Sequence, residues 1–288
     1  MMRKFQPVII IGAPRSGTNM LRDVLTKLPG IGTWPCDEIN YIWRHGNVRY
    51  ATDEFKPEMA TPAVQRYISR AFERIASRFD LDIVVEKTCA NSLRVPFVER
   101  AVPAAKFVFI HRDGIDAVGS AMKRWRAEVD VPYLMRKARY VPFMDIPYYA
   151  VRYFVSRLHR VFSQEKRLAF WGPIFNGLDE VLSKHSLDEI CALQWQHCVD
   201  RADEAFERIE PDRVCRVSYE TFVSRPVQEL VRVAQFIGIK VGAADAQNLV
   251  KGVSTASVGK GRHELGPERV QCIVGLVGST LRRHAYAS

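Results

Sequence analysis

The chain has 288 residues, 47% hydrophobic and 26% charged, and its 42 Lys and Arg against 32 Asp and Glu give a net charge of +10. That length supports one large core and that composition excludes a disordered or fibrous chain, while the charge favours anionic partners. Six cysteines, none in a CxxC pair, argue against a zinc site or a disulfide framework and fit a reducing cytoplasm. The apolar run after Arg3 and Lys4 is only Val8–Ile11, too short for a signal peptide or a membrane span.

Val8 to Ile11 are four apolar residues, β-branched enough for a buried strand. Gly12-Ala13-Pro14-Arg15-Ser16-Gly17 breaks that strand, and Met20, Leu21, Val24, Leu25 and Leu28 then recur at helical spacing over Thr18 to Leu28. Strand, Gly-bounded loop and helix aim backbone N–H groups and a helix N-terminus at one anion. Arg15, Ser16, Gly17, Thr18 and Asn19 are therefore candidate ligands of a phosphate.

The Gly12-to-Gly17 spacing is that of GxxxxGK[ST], but Thr18 and Asn19 stand where Lys and a Mg²⁺-binding hydroxyl belong. The loop's basic residue is inside it, at Arg15. Such a loop suits a nucleotide without a metal-bridged triphosphate, and no metal ligand is assigned. Pro14-Arg15-Ser16-Gly17-Thr18 resembles the 5′-phosphosulfate loop of sulfotransferases that use 3′-phosphoadenosine 5′-phosphosulfate (PAPS). The resemblance implies an α/β fold with a central parallel sheet flanked by helices, the P-loop NTPase-like sulfotransferase fold, with PAPS as co-substrate and PAP as product.

Pro29–Pro35 reads as an irregular connection, followed by Asp37-Glu38. Two acids so close to an anion site are solvated loop residues unless one acts in the chemistry. The resemblance implies a catalytic Glu in this loop, which is Glu38, with Asp37 in reserve. Thr61-Pro62 starts a helix over 62–79 whose buried face is Val64, Ile68, Phe72, Ile75 and Phe79.

Asp82–Val85 is the next buried strand and delivers Glu86-Lys87-Thr88 at its C-terminal end, where open α/β sheets place ligands. The resemblance assigns Lys87 to the bridging oxygen of the leaving group. The bland alternative is a strand-end lysine in solvent. Lys106–Ile110 is a further strand, leading through His111-Arg112 into a helix with Ile115, Val118, Met122 and Trp125 apolar. The block KFVFIHRDGIDAVGSAMKRW resembles the sulfotransferase 3′-phosphate site, implying Arg112 and Ser120 as ligands, with Arg124 one turn beyond. His111 is read as packed behind the site.

Residues 122–167 carry eleven Lys/Arg against four Asp/Glu, interleaved with Tyr and Phe. They form the wet face of a helical insertion, or a lid over the acceptor pocket at about 128–185 within one 1–288 domain; peripheral membrane contact stays open. Ser186 and Glu189 form a capping box for a helix to about Ile209. Arg213–Val217 is the last strand, Tyr219 follows as the residue that the resemblance sets near adenine, and a Pro226-started helix ends near Gly238. Ser257–Arg262 is a flexible basic loop before a helix at Pro267, and the resemblance makes Ser257, Gly259, Lys260 and Arg262 cofactor ligands.

The expected reaction is sulfuryl transfer from PAPS to a hydroxyl or amine of a small-molecule or glycan acceptor. Glu38 is the base, and Lys87 and Arg15 stabilise charge. A P-loop kinase and a non-catalytic polyanion binder are the rivals. No nucleic-acid motif accompanies the charge.

Overall fold

The computed structural model describes residues 4–126, 140–149 and 171–286. Its centre is a five-stranded sheet in the order β2-β3-β1-β4-β5. The strands are β1 Gln6–Ile11, β2 Ile31–Gly32, β3 Ile83–Lys87, β4 Lys106–His111 and β5 Val214–Ser218. Every pairing is parallel, with Val8 opposite Val85 on one side and Lys106 on the other. β1 is central because its four apolar residues can be covered on both faces, and each is fully buried.

Side-chain alternation divides the core into two layers. Ile9, Ile11, Val84, Phe107 and Phe109 face one cluster, and Val8, Ile10, Val85, Val108 and Ile110 face the other. The second layer is closed by α1 Thr18–Leu25 through Leu21, Val24 and Leu25. The first receives α2 Asn40–Arg44, α3 Pro62–Phe79, α4 Val95–Ala101 and α5 Gly114–Arg126, then α6 Leu178–Lys184 and α7 Leu187–Phe206. Helices α8 Tyr219–Ser224, α9 Pro226–Ile237 and α10 Ala243–Leu249 return to the α1 side. After α11 Lys260–Leu265, α12 Pro267–Arg283 packs Ile273, Val277 and Leu281 into the first layer.

Local signals place most boundaries. Thr61 caps α3 by accepting from Val64 N–H, with Pro62 at the first helical position. Glu189 accepts from both the backbone N–H and the hydroxyl of Ser186 at the start of α7. Gly238, in the left-handed region at φ 94°, ends α9.

Four expectations are corrected. Phe79 is 44% exposed, because α3 ends there and Asp80 turns the chain away at φ 54°. Helix α1 stops at Leu25 rather than Leu28, although Leu28 is buried. The 29–35 connection contains β2, whose two residues take their place from pairing with Ile83 and Val84. Finally, Lys260 and Arg262 lie on α11, not in a flexible loop. The lid expectation at 128–185 falls largely outside the described residues. Among the described residues no helix is long and apolar enough to cross a membrane.

Candidate active site

The site lies at the C-terminal edge of the sheet, where β1, β3 and β4 release their chains side by side. After Ile11 the chain turns through Gly12 to Gly17, and Ser16 N–H donates to Ala13 O at 3.2 Å. Arg15 holds φ 69°, a left-handed conformation that costs a non-glycine residue about 1–2 kcal/mol. Gly17 holds φ 88°, and a Cβ there would collide with the Tyr219 ring. Conformation and contact both demand glycine at this position. The Ser16 hydroxyl is buried with no hydrogen-bond partner among the described residues, and so is Arg112 Nε.

Next to this loop, the start of β4–α5 builds a cationic cleft. Arg15 Nε donates to Ser120 Oγ at 2.8 Å, and Arg112 Nη1 donates to Arg15 O at 3.2 Å. Arg112 also donates to Ser257 O and lies over the Tyr219 ring, 4.4 Å from its centroid. Partial burial lowers the Arg15 pKa, and the charges of Arg124 and Arg112 lower it further. Two neighbouring guanidinium groups thus press on Arg15, an effect that a bound anion would offset. Arg112, Ser120, Lys123, Ser257, Lys260 and Glu264 line the cleft beside them.

The 257–262 segment is fixed to α5 by Asp116, a residue that carries no local signal. Its carboxylate accepts from Gly259 N–H at 2.8 Å and Gly261 N–H at 2.7 Å, and lies 3.4 Å from Arg112 Nη2. A Cβ at Gly261 would strike Ile115 O, so the segment can approach α5 this closely only as glycine. Lys260 faces the cleft, whereas Arg262 is engaged elsewhere: it donates to Asp113 Oδ2 at 3.2 Å and to Tyr286 O at 2.9 Å.

At the end of β3, Lys87 is 3% exposed rather than solvated. Its Nζ lies 3.0 Å from Glu38 Oε1 and 3.1 Å from Asp37 Oδ1. Burial alone would lower the lysine pKa, but Glu38 and Asp37 raise it above the ordinary value. Asp37 also takes Arg22 Nη1 at 2.7 Å. Burial opposes its ionisation, yet Lys87 and Arg22 together hold it at about 2. Glu38 Oε1 accepts from Cys89 N–H at 3.3 Å as well.

Below this pair is a buried polar network that sequence reasoning missed. Thr88 Oγ1 accepts from Ile39 N–H and donates to Glu86, and Asn91 Nδ2 donates to Glu86 at 3.0 Å. Arg94 donates to Asn91 and, with Arg44, pairs with Asp53. Burial pushes Glu86 up to about 7 against the hydrogen bond from Thr88. These residues come from three separated stretches, residues 39–44, Asp53 and residues 86–94, so only the folded chain assembles them. His111 is packed behind the cleft as expected: Nδ1 lies 2.8 Å from Tyr286 Oη, and burial, then His284, push it down to about 4.

Comparison with known proteins agrees with this architecture. A model described as the sulfotransferase family matches residues 7–169 and 154–242. A search of curated protein sequences finds no match. Among solved structures, sulfotransferase STF9 from Mycobacterium avium has a TM-score of 0.53 at 13% identity over 98% of this chain and 77% of that one. Mouse sulfotransferase SULT7A1 complexed with PAP has a TM-score of 0.52 at 13% identity over 96% and 85%. At such identities the likeness concerns the fold. The sheet order, the loop after β1 and a family match across most of the sequence converge: this chain belongs to the sulfotransferase family.

Proposed function

We propose that this protein transfers the sulfuryl group of PAPS to a hydroxyl or amine of a small-molecule or glycan acceptor in the cytoplasm, with Glu38 as general base. The observation that carries this reading is the buried Lys87 ammonium held 3.0 Å from Glu38 at the open end of the sheet, beside a phosphate-type loop. The residues fit such a nucleotide. Buried Ser16 Oγ and Arg112 Nε lack partners among the described residues, and an unpaired buried donor costs about 1–3 kcal/mol. Ser16, Gly17, Thr18, Asn19 and Arg15 would hold its 5′ end, Arg112, Ser120 and Lys260 its 3′-phosphate, with Arg124 adding charge and Tyr219 packing beside the base. Ser257 and Gly259 would contribute through the segment that Asp116 fixes.

PAPS, when bound, supplies an activated sulfuryl group and departs as PAP. Glu38 takes the acceptor's proton at its carboxylate as the acceptor oxygen or nitrogen bonds to sulfur. Lys87, kept charged by its two acids, stabilises the negative charge that grows on the bridging oxygen, and Arg15 with the loop N–H groups shares it. Asp37 is spent on Arg22 and Lys87 and is too weak a base to compete. It positions the lysine. The acceptor side is assigned to the insertion at about 128–185 of a single 1–288 domain.

A calorimetric titration tests this. PAP binds tightly without Mg²⁺ and ATP weakly. Tight, Mg²⁺-dependent ATP binding would make the protein a kinase, and equal weak binding of all polyanions a non-catalytic binder.

A further inference from the structure

The cleft read above as the 3′-phosphate site contains two carboxylates, which is one more puzzle than an anion site should pose. Asp116 is explained. It is 2% exposed and fully used by two backbone N–H groups and Arg112, so it holds the walls together. Glu264 is not explained that way. Among the described residues it holds no backbone group, and its carboxylate lies at the cleft mouth on α11, with Oε1 2.7 Å from Lys123 Nζ of α5 and 3.8 Å from Lys260 Nζ. The lysine side chains are 61% and 59% exposed, so these are weak, reversible ion pairs. The Lys123 hydrogen bond and then the Lys260 charge keep Glu264 below the usual carboxylate range, so it is an anion at neutral pH.

Glu264 therefore occupies, from within the protein, two cations that line the cleft with Arg112 and Ser120. We infer that Glu264 is an internal gate on this cleft, neutralising Lys123 and Lys260 in the nucleotide-free state and yielding them when a nucleotide's 3′-phosphate displaces it. This rests on the reading of the cleft as the 3′-phosphate site. The gate raises the threshold for every anion. A dianionic phosphate gripped by Arg112 and Ser120 displaces the carboxylate at the cost of these two exposed ion pairs.

The test is calorimetry of PAP and of AMP, which lacks the 3′-phosphate, on the wild type and on Glu264→Gln. The variant is expected to bind PAP about three- to fivefold more tightly, the worth of an exposed ion pair no longer broken on binding. Its AMP affinity is unchanged, and its PAP affinity falls more steeply with salt than the wild type's, because two lysines are now free to meet phosphate. Unchanged or weaker PAP binding makes Glu264 a strut between α5 and α11 and overturns the gate. Equal tightening for PAP and AMP also overturns it, leaving a long-range field effect. If the wild type binds PAP no better than AMP, the cleft is not a 3′-phosphate site, and the gate falls with that reading. If the wild type prefers PAP while Glu264→Gln does not tighten it, the gate alone falls.

Discussion

The two ends of the sheet edge handle charge in opposite ways. At the end of β3, Lys87 is buried and matched by Asp37 and Glu38, and Arg22 is balanced by Asp37 and Asp23. Where the loop after β1 meets the end of β4, Arg15 lies close to Arg112 and Arg124, and among the described residues Asp116 pairs only with Arg112 of the three. A balanced cluster fixes geometry before any ligand arrives, because its members already have partners. An unbalanced one stores repulsion that only a bound anion removes. In the proposed function, chemistry and nucleotide capture fall to different ends of one edge, so that each can be damaged without the other.

The strongest way to break that division is at the balanced end. Glu38→Gln keeps the shape and removes the proposed base, so turnover is expected to fall about 10²–10⁴-fold while PAP binding by calorimetry stays normal. Asp37→Asn should cost much less, since Lys87 keeps Glu38. If Glu38→Gln stays active and Asp37→Asn does not, the base is Asp37.

At the cationic end the effect should be smaller and confined to binding. Arg112→Ala and Ser120→Ala each remove a contact to the proposed 3′-phosphate, and a charge-assisted hydrogen bond is worth about 1.5–3 kcal/mol. PAP affinity drops accordingly, and AMP affinity is nearly unaffected. Arg262→Ala provides the contrast. Its guanidinium is engaged by Asp113 and Tyr286, so it should lower thermal stability and leave PAP affinity within about twofold, an exposed-pair effect. Equal losses for PAP and AMP at Arg112 would remove it from the 3′-phosphate site.

The smallest effect sharpens what lies beneath the balanced end. Glu86 rests at about 7 in the folded chain, above its ordinary 4.5, so folding favours its protonated form. Its contribution to stability is complete below about pH 4.5 and is lost as pH rises through 7. Glu86→Gln should flatten that slope in thermal melts across this window, with each kcal/mol worth about 2–4 °C. A wild-type melting temperature already flat between those values would mean that Glu86 stays ionised on its hydrogen bonds to Thr88 and Asn91.

Much of this molecule was legible along the chain because its signals are local. Four β-branched residues before a Gly-bounded loop, Thr61-Pro62 at a helix start and the Ser186–Glu189 box act within a few residues, and each is where periodicity and capping put it. The same locality explains the failures. Phe79 continues the apolar face of α3 in sequence but lies past the packing, and β2 has no strand signal beyond its pairing with β3. Ser257–Arg262 looks flexible because glycine and charge are all that a local reading sees there.

What the sequence by itself determined was the fold class, the loop after β1 and the residue types gathered at the strand ends. The tertiary structure alone decided which charges meet. Lys87 finds Asp37 across 50 residues, and Asp116 holds Gly259 and Gly261 across more than 140, while Arg262 is drawn off to Asp113 and Tyr286. The reason is that periodicity records how each segment meets the core, whereas ion pairing depends on sheet register and helix approach, which no single segment contains.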